Sequence, residues 1–194
     1  MTEPSPRIRR SFFDRPTLEV ACDLLGKRLV KLEQAGRLSG IINEVEAYIG
    51  AEDLACHARF GKTNRNRVMW GPPGFAYIYF TYGMHWLLNF VTERDHFAAA
   101  VLLRSLVAEE GVETMLQRRK GRHKNLTNGP AKVCQAFGLT GKDNALDLCS
   151  PRSTLFVENG IKVGPETIKA TPRIGIDSVP EPWKSIPWRF TCQV

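Results

Sequence analysis

A chain of 194 residues, 43% hydrophobic and 24% charged, is long and apolar enough to bury a sizeable core in one domain, which excludes a disordered chain. Its 27 Lys and Arg against 20 Asp and Glu leave a net charge of +7, which suits a polyanionic partner as well as it suits a merely basic soluble protein. The five cysteines (Cys22, Cys56, Cys134, Cys149 and Cys192) form no CxxC pair, which argues against a zinc ribbon or an iron–sulfur cluster and predicts reduced thiols.

In chain order, residues 1–10 read as a basic tail carrying Arg7, Arg9 and Arg10, and residues 11–194 as a single domain. Met1-Thr2-Glu3-Pro4 opens no signal peptide and no apolar run reaches membrane-spanning length, so a cytoplasmic protein without a membrane partner is expected. Asp14-Arg15-Pro16 starts a helix through Leu18, Val20, Ala21, Leu24 and Leu25, closed by Gly26. Residues 28–32 and 38–48 read as successive strands joined through Gln34-Ala35-Gly36. Residues 50–74 are polar, irregular and rich in Gly and Pro, the pattern of a functional loop.

Residues 75–80 and 86–91 predict a hairpin with Tyr82-Gly83 at its turn, and residues 98–107 a nearly continuous apolar central strand interrupted by Arg104. Residues 109–119 predict a helix with Val112, Met115 and Leu116 inward. Asn128-Gly129-Pro130 opens another helix to Phe137, stopped by Gly138. Short strands are expected at 154–157, 173–176 and 188–191. The class is α/β of the α+β kind, one compact domain with a mostly antiparallel sheet.

The chemistry concentrates in Glu44-Val45-Glu46-Ala47-Tyr48. Side chains alternate along a strand, so Glu44, Glu46 and Tyr48 project together. Buried carboxylates need partners, and Arg104, costly in an apolar strand without an anion, can serve either Glu46 or Glu44. A solvent-facing polar stripe with a purely structural ion pair fits the same spacing. Tyr77 reads as packing and Tyr79 shares its face; Tyr82, at a Gly-bounded tip, is hard to bury and suits a wedge that unstacks base pairs. Arg65-Asn66-Arg67 lies in the loop beside the carboxylates, and Lys132 in the first turn of a helix whose free N–H groups favour an anion. A zinc site from Cys56, His57, Glu44 or Asp53 has poor geometry because Cys56 and His57 are adjacent, so no metal and no cofactor is expected.

Taken together, Glu44 to Gly50, Asp53 with His57-Ala58-Arg59, Arg65-Asn66-Arg67, Tyr77-Ile78-Tyr79 through Tyr82-Gly83-Met84, Asn89, Val101 to Arg104 and Gly129-Pro130-Ala131-Lys132 resemble the alkyladenine (3-methyladenine) DNA glycosylase family, in the family's order. The resemblance implies a curved sheet with surrounding helices and a protruding β-hairpin that inserts into DNA. It implies Glu46 as the base that activates water, with Arg104 and the backbone carbonyl of Ile174 holding that water. Tyr48, His57 and Tyr79 match the walls of the base pocket, and Asn89 the residue that crowds a guanine amine. Tyr82, Gly83 and Met84 match the DNA-inserting tip, and Arg65, Asn66, Arg67 and Lys132 further DNA contacts. The implied partner is double-stranded DNA containing damaged purines, met by a monomer associated with the nucleoid if the host is bacterial. No lysine is marked for a Schiff base, so base removal without strand cleavage is expected. Two departures stand out: Asn64 where the family has proline, in a loop about one residue short, and an end at Val194 that leaves a sheet edge expected to be open. A metal-dependent nuclease and a non-catalytic nucleic-acid-binding module are the competing readings.

Overall fold

Strand β2 (Gly36–Ile49) is the axis of the molecule, because the sheet grows from both its sides. On one side β1 (Arg28–Glu33) folds back on it, closing from Glu33 against Gly36, and β6 (Leu155–Glu158) extends that edge. Across from these, β5 (Ala99–Glu110) runs along nearly the whole of β2, followed by β4 (His85–Val91) and β3 (Ala76–Thr81). Two short strands, β7 (Lys169–Thr171) and β8 (Arg189–Thr191), complete the eight. β8 pairs with β7 and with Glu44 to Glu46 of β2, beyond the stretch that β1 covers, so it is paired on both sides. Every pairing is antiparallel and the sheet does not close. This computed structural model describes residues 6–194.

Alternation along these strands separates two faces. Ala76 and Ile78 of β3, Leu88 and Phe90 of β4, Val101 and Leu103 of β5, and Val45 and Ala47 of β2 form one core. The helices α1 (Arg10–Phe13), α2 (Thr17–Leu24), α3 (Val112–Arg118) and α4 (Pro130–Phe137) contribute to that core through Phe13, Leu24, Met115 and Phe137. Lys31 closes the end of α4, donating to the Phe137 and Gly138 carbonyls at 3.1 and 3.0 Å, where a cation complements the helix dipole. The opposite face carries a smaller cluster in which Tyr77, Val91, Ala98 and Ala100 meet Cys56, Ala58 and Met69 of the 50–74 loop. That loop contains two single 3₁₀ turns and no longer element.

One irregularity positions the site. Ile42 faces Leu106, Glu44 faces Ser105 and Val45 faces Leu103, so Asn43 on β2 and then Arg104 on β5 are each an extra, unpaired residue. Such bulges bend a strand and re-aim a side chain. They turn Arg104 toward the carboxylates of the neighbouring strand.

Several expectations need correction. The helix expected from residue 109 starts at Val112, because β5 persists through Glu110 and Gly111 turns the chain at φ 72°. No strand forms at 173–176: Gly175 has φ 78°, which breaks extended backbone, and the pairing segment lies earlier, at β7. Residues 1–5 of the expected tail lie outside the described residues, but from Arg7 onward the chain is packed. Arg7 donates to the Ser150 and Ser153 carbonyls and stacks over the Phe156 ring, Ile8 is buried, and Arg10 begins α1.

Candidate active site

Glu46 is completely buried, and three groups meet it. The Tyr48 hydroxyl, two residues along the same face, donates to Oε2 at 2.8 Å. The Ile174 N–H donates to Oε1 at 2.8 Å, and Arg104 Nη1 lies 3.2 Å from that oxygen. A carboxylate accepts along about four directions, so capacity remains on Oε2. Burial works against the Arg104 charge, yet the Glu46 and Glu44 carboxylates outweigh it and raise its pKa above the ordinary value. Burial, reinforced by the Glu46 charge, pushes the Tyr48 hydroxyl well above its ordinary range, so it keeps its proton and remains a donor.

The Ile174 N–H reaches Glu46 because its neighbour is anchored. Arg173 is buried, donates to Asp53 through Nη1 at 2.6 Å and Nη2 at 2.9 Å, and also donates to the carbonyls of Ala47 and Trp183. Its guanidinium lies 4.7 Å from the Tyr48 ring centroid. Asp53 is itself fixed by the N–H groups of Ile49 and Ala55. This ion pair spans 120 positions of sequence, and sequence reasoning missed Arg173 altogether. It also commits Asp53, a carboxylate of the nuclease alternative, to an arginine. Cys56 contacts Met69 and accepts from the Ala58 N–H, and among the described residues no three His, Cys, Asp or Glu side chains cluster as metal ligands.

Tyr48, Arg104 and Ile174, the three residues that hold Glu46, line a cavity of about 350 Å³, a size typical of small-molecule sites. Its walls include Tyr48, His57, Tyr79, Asn89 and Leu102. The His57 ring stands edge-on to Tyr79 at 4.5 Å between centroids, and its Nδ1 is 2.9 Å from the Tyr77 hydroxyl. Burial, with repulsion from Arg65 and Arg59, pulls His57 down to about 4, so its ring is neutral at pH 7. Asn89 is buried and its side-chain amide donates to the Tyr77 carbonyl at 3.0 Å, fixing which way it faces. Tyr77, read from sequence as packing alone, both packs and orients His57; its place on the same strand face as Tyr79 was the available signal.

A family model described as methylpurine-DNA glycosylase matches residues 11–194. The chain belongs to the methylpurine-DNA glycosylase family. Membership carries the activity class: a hydrolase of N-glycosyl bonds in DNA, working in base excision repair. Three relatives bear the name "Putative 3-methyladenine DNA glycosylase". That from Methanocella arvoryzae is 49% identical over 95% of this chain and 92% of its own length. That from Alkaliphilus oremlandii is 43% identical over 95% and 94%, and that from Chlorobaculum parvum 42% over 94% and 86%.

The residues assigned to DNA by resemblance to this glycosylase family divide into two groups. Tyr82 is 80% exposed at the hairpin tip, and Met84 beside it is also exposed. Tyr82 and Gly83 have φ of 51° and 65°, and the Met84 N–H closes the turn on the Thr81 carbonyl at 3.1 Å. Positive φ at both central residues matches the twist of paired strands, and Gly83 adopts it without strain. Arg65 and Arg67 are exposed, and Arg65 binds the Phe80 carbonyl at 2.9 Å, tying the loop to the hairpin. Asn66 and Lys132 are already engaged. Asn66 is 2% exposed; its amide donates to the His57 and Gly61 carbonyls while its Oδ1 accepts from the Thr63 N–H, so it organises the loop. Lys132 donates to the side chain and the carbonyl of Asn128 at 2.9 and 3.2 Å. No helix among the described residues is long and apolar enough to cross a membrane.

Proposed function

We propose that this glycosylase flips an alkylated purine out of duplex DNA into the Tyr48–His57–Tyr79 cavity and hydrolyses its N-glycosidic bond with a water activated by Glu46, leaving an abasic site. The observation that carries the reading is a fully buried carboxylate held, with acceptor capacity to spare, by Tyr48, Ile174 and Arg104, three residues that themselves line an aromatic cavity. That capacity takes the proton of the attacking water, and the same charge stabilises the oxocarbenium-like sugar. Ile174, anchored through Arg173, keeps the catalytic carboxylate from rotating.

Extrusion of the base costs a few kcal/mol, least for a damaged and poorly paired base, and Tyr82 filling the vacated stack offsets part of it. Arg65, Arg67 and the net charge of +7 supply attraction to phosphate, and Met84 extends the inserted tip. The aromatic walls select for positive charge, since a desolvated cation–π contact contributes about 2 kcal/mol. His57, neutral at pH 7, lacks the acidic imidazolium form that would protonate a leaving base. Cationic 3-methyladenine and 7-methylguanine therefore rank above neutral hypoxanthine and ethenoadenine, whose departure needs protonation. Asn89, fixed at the cavity wall, opposes an exocyclic amine of normal guanine.

The test incubates the protein with duplexes carrying each of these four lesions and measures released base and alkali-labile sites. Release of a cationic methylpurine, with strand breaks only after alkali, is expected. No base released from any lesion overturns the reading, and breaks without alkali would favour a nuclease.

A further inference from the structure

Alternation along β2 makes Glu44 and Glu46 equivalent, but their neighbours differ. Glu44 Oε1 accepts from Arg104 Nε at 2.9 Å and from Arg189 Nη1 at 3.0 Å. Arg189, on β8, stands directly across the ladder from Glu46, and its Nε donates to the Pro172 carbonyl at 3.1 Å. Pro172 begins the segment that delivers the Ile174 N–H to Glu46. The four charges thus alternate in one row, Arg189, Glu44, Arg104, Glu46, and cancel.

A guanidinium left with a single carboxylate forks onto both its oxygens. Were Arg104 to do this to Glu46, it would occupy the oxygen that a water needs. Glu44 opposes this by holding the Nε edge at 2.9 Å, while Nη1 meets Glu46 Oε1 at 3.2 Å. Arg189 in turn neutralises Glu44, which otherwise places a second negative charge beside the first.

We propose that Glu44 and Arg189 are positioning residues for excision: through Arg104 they leave the spare acceptor capacity of Glu46 Oε2 to the hydrolytic water and set the charge balance around it. The proposal rests on Glu46 as the base. The groups facing Glu46 are Tyr48 and Glu44 from its own strand, Arg104 from β5, Arg189 from β8, Tyr79 from β3 and the Ile174 N–H. Arg173, on the same segment as Ile174, is paired with Asp53.

The two residues carry opposite charge, so their removal has opposite consequences for the pH profile. The experiment measures single-turnover release of methylpurines from dimethyl-sulfate-treated duplex DNA between about pH 5 and 9, with DNA affinity measured in parallel. In Glu44→Gln the plateau rate falls about tenfold or more while the acidic limb moves to lower pH by about one unit. In Arg189→Gln the limb moves to higher pH by a similar amount, and Arg189→Lys, which keeps the charge, returns it to the wild-type position. DNA affinity is unchanged in all three. Displacement of both limbs in the same direction, or an equal loss of rate with neither limb displaced, overturns the proposal. If Arg189→Gln does not fold, the direction in Glu44→Gln and the unmoved limb of Arg189→Lys decide the matter. Glu46→Gln is run alongside: wild-type release there overturns the base assignment itself, whereas abolished release with undisplaced limbs in the other variants overturns only the positioning role.

Discussion

The two faces of the β2–β5 ladder are built from the same strands and follow opposite rules. On the helix face, Val45, Ala47, Val101 and Leu103 meet apolar helix residues, and each contributes by leaving water. One residue along each strand, the other face buries Glu46, Asp53's partner Arg173 and most of Arg104, charges that are tolerated only because each meets an opposite charge at hydrogen-bonding distance. The first face tolerates any shape that fills it; the second fails when a buried charge is left with no partner at all. The lesson is that a buried charged site is held up by a redundant apolar one, and that the two respond differently to substitution.

Four substitutions or conditions break or sharpen this contrast. Asp53→Ala strands a buried guanidinium and frees the segment carrying Ile174; it is expected to cost about 3–5 kcal/mol in chemical denaturation and to abolish base release in the molecules that remain folded. Leu88→Ala, on the helix face, should cost about 2–5 kcal/mol yet leave release per folded molecule at the wild-type rate. A smaller effect of the opposite kind is expected for Tyr82→Ala: stability unchanged within about 0.5 kcal/mol, but single-turnover release slowed about tenfold because nothing replaces the flipped base.

The smallest concerns acid. His57 titrates at about 4 in the folded protein against an ordinary 6.5, so its contribution to stability is fully present above 6.5 and is lost as pH falls toward 4. Wild type should therefore lose about 0.7 kcal/mol more than His57→Asn between pH 7 and 6. An equal loss in the two proteins would show that the ring is not buried neutral against Tyr77.

Much of this arrangement was legible before any coordinates. Period-two alternation put Glu44, Glu46 and Tyr48 on one face, the isolated cation in an apolar strand marked Arg104, and Gly83 beside an aromatic marked an exposed tip. What stayed hidden depends on register and on distant segments. The bulges at Asn43 and Arg104 arise from how β2 and β5 align, which neither strand encodes alone. Asp53 and Arg173 meet across the fold, and nothing local to Arg173 announces a buried cation. Around Ile174-Gly175-Ile176 the apolar residues look like a strand, but Gly175 takes a conformation that extended pairing forbids. Asn66 and Lys132 showed their residue types but not their local partners, a loop staple for the one and Asn128 for the other.

The central claim is that Glu46 performs the chemistry rather than holding the fold. Glu46→Gln tests it well, because the amide is the same size and Arg104 keeps Glu44 as a partner. With methylated duplex DNA, release is predicted to fall about 10²- to 10⁴-fold while DNA affinity and the melting temperature stay near wild type. Release at the wild-type rate by a folded Glu46→Gln protein would contradict the account.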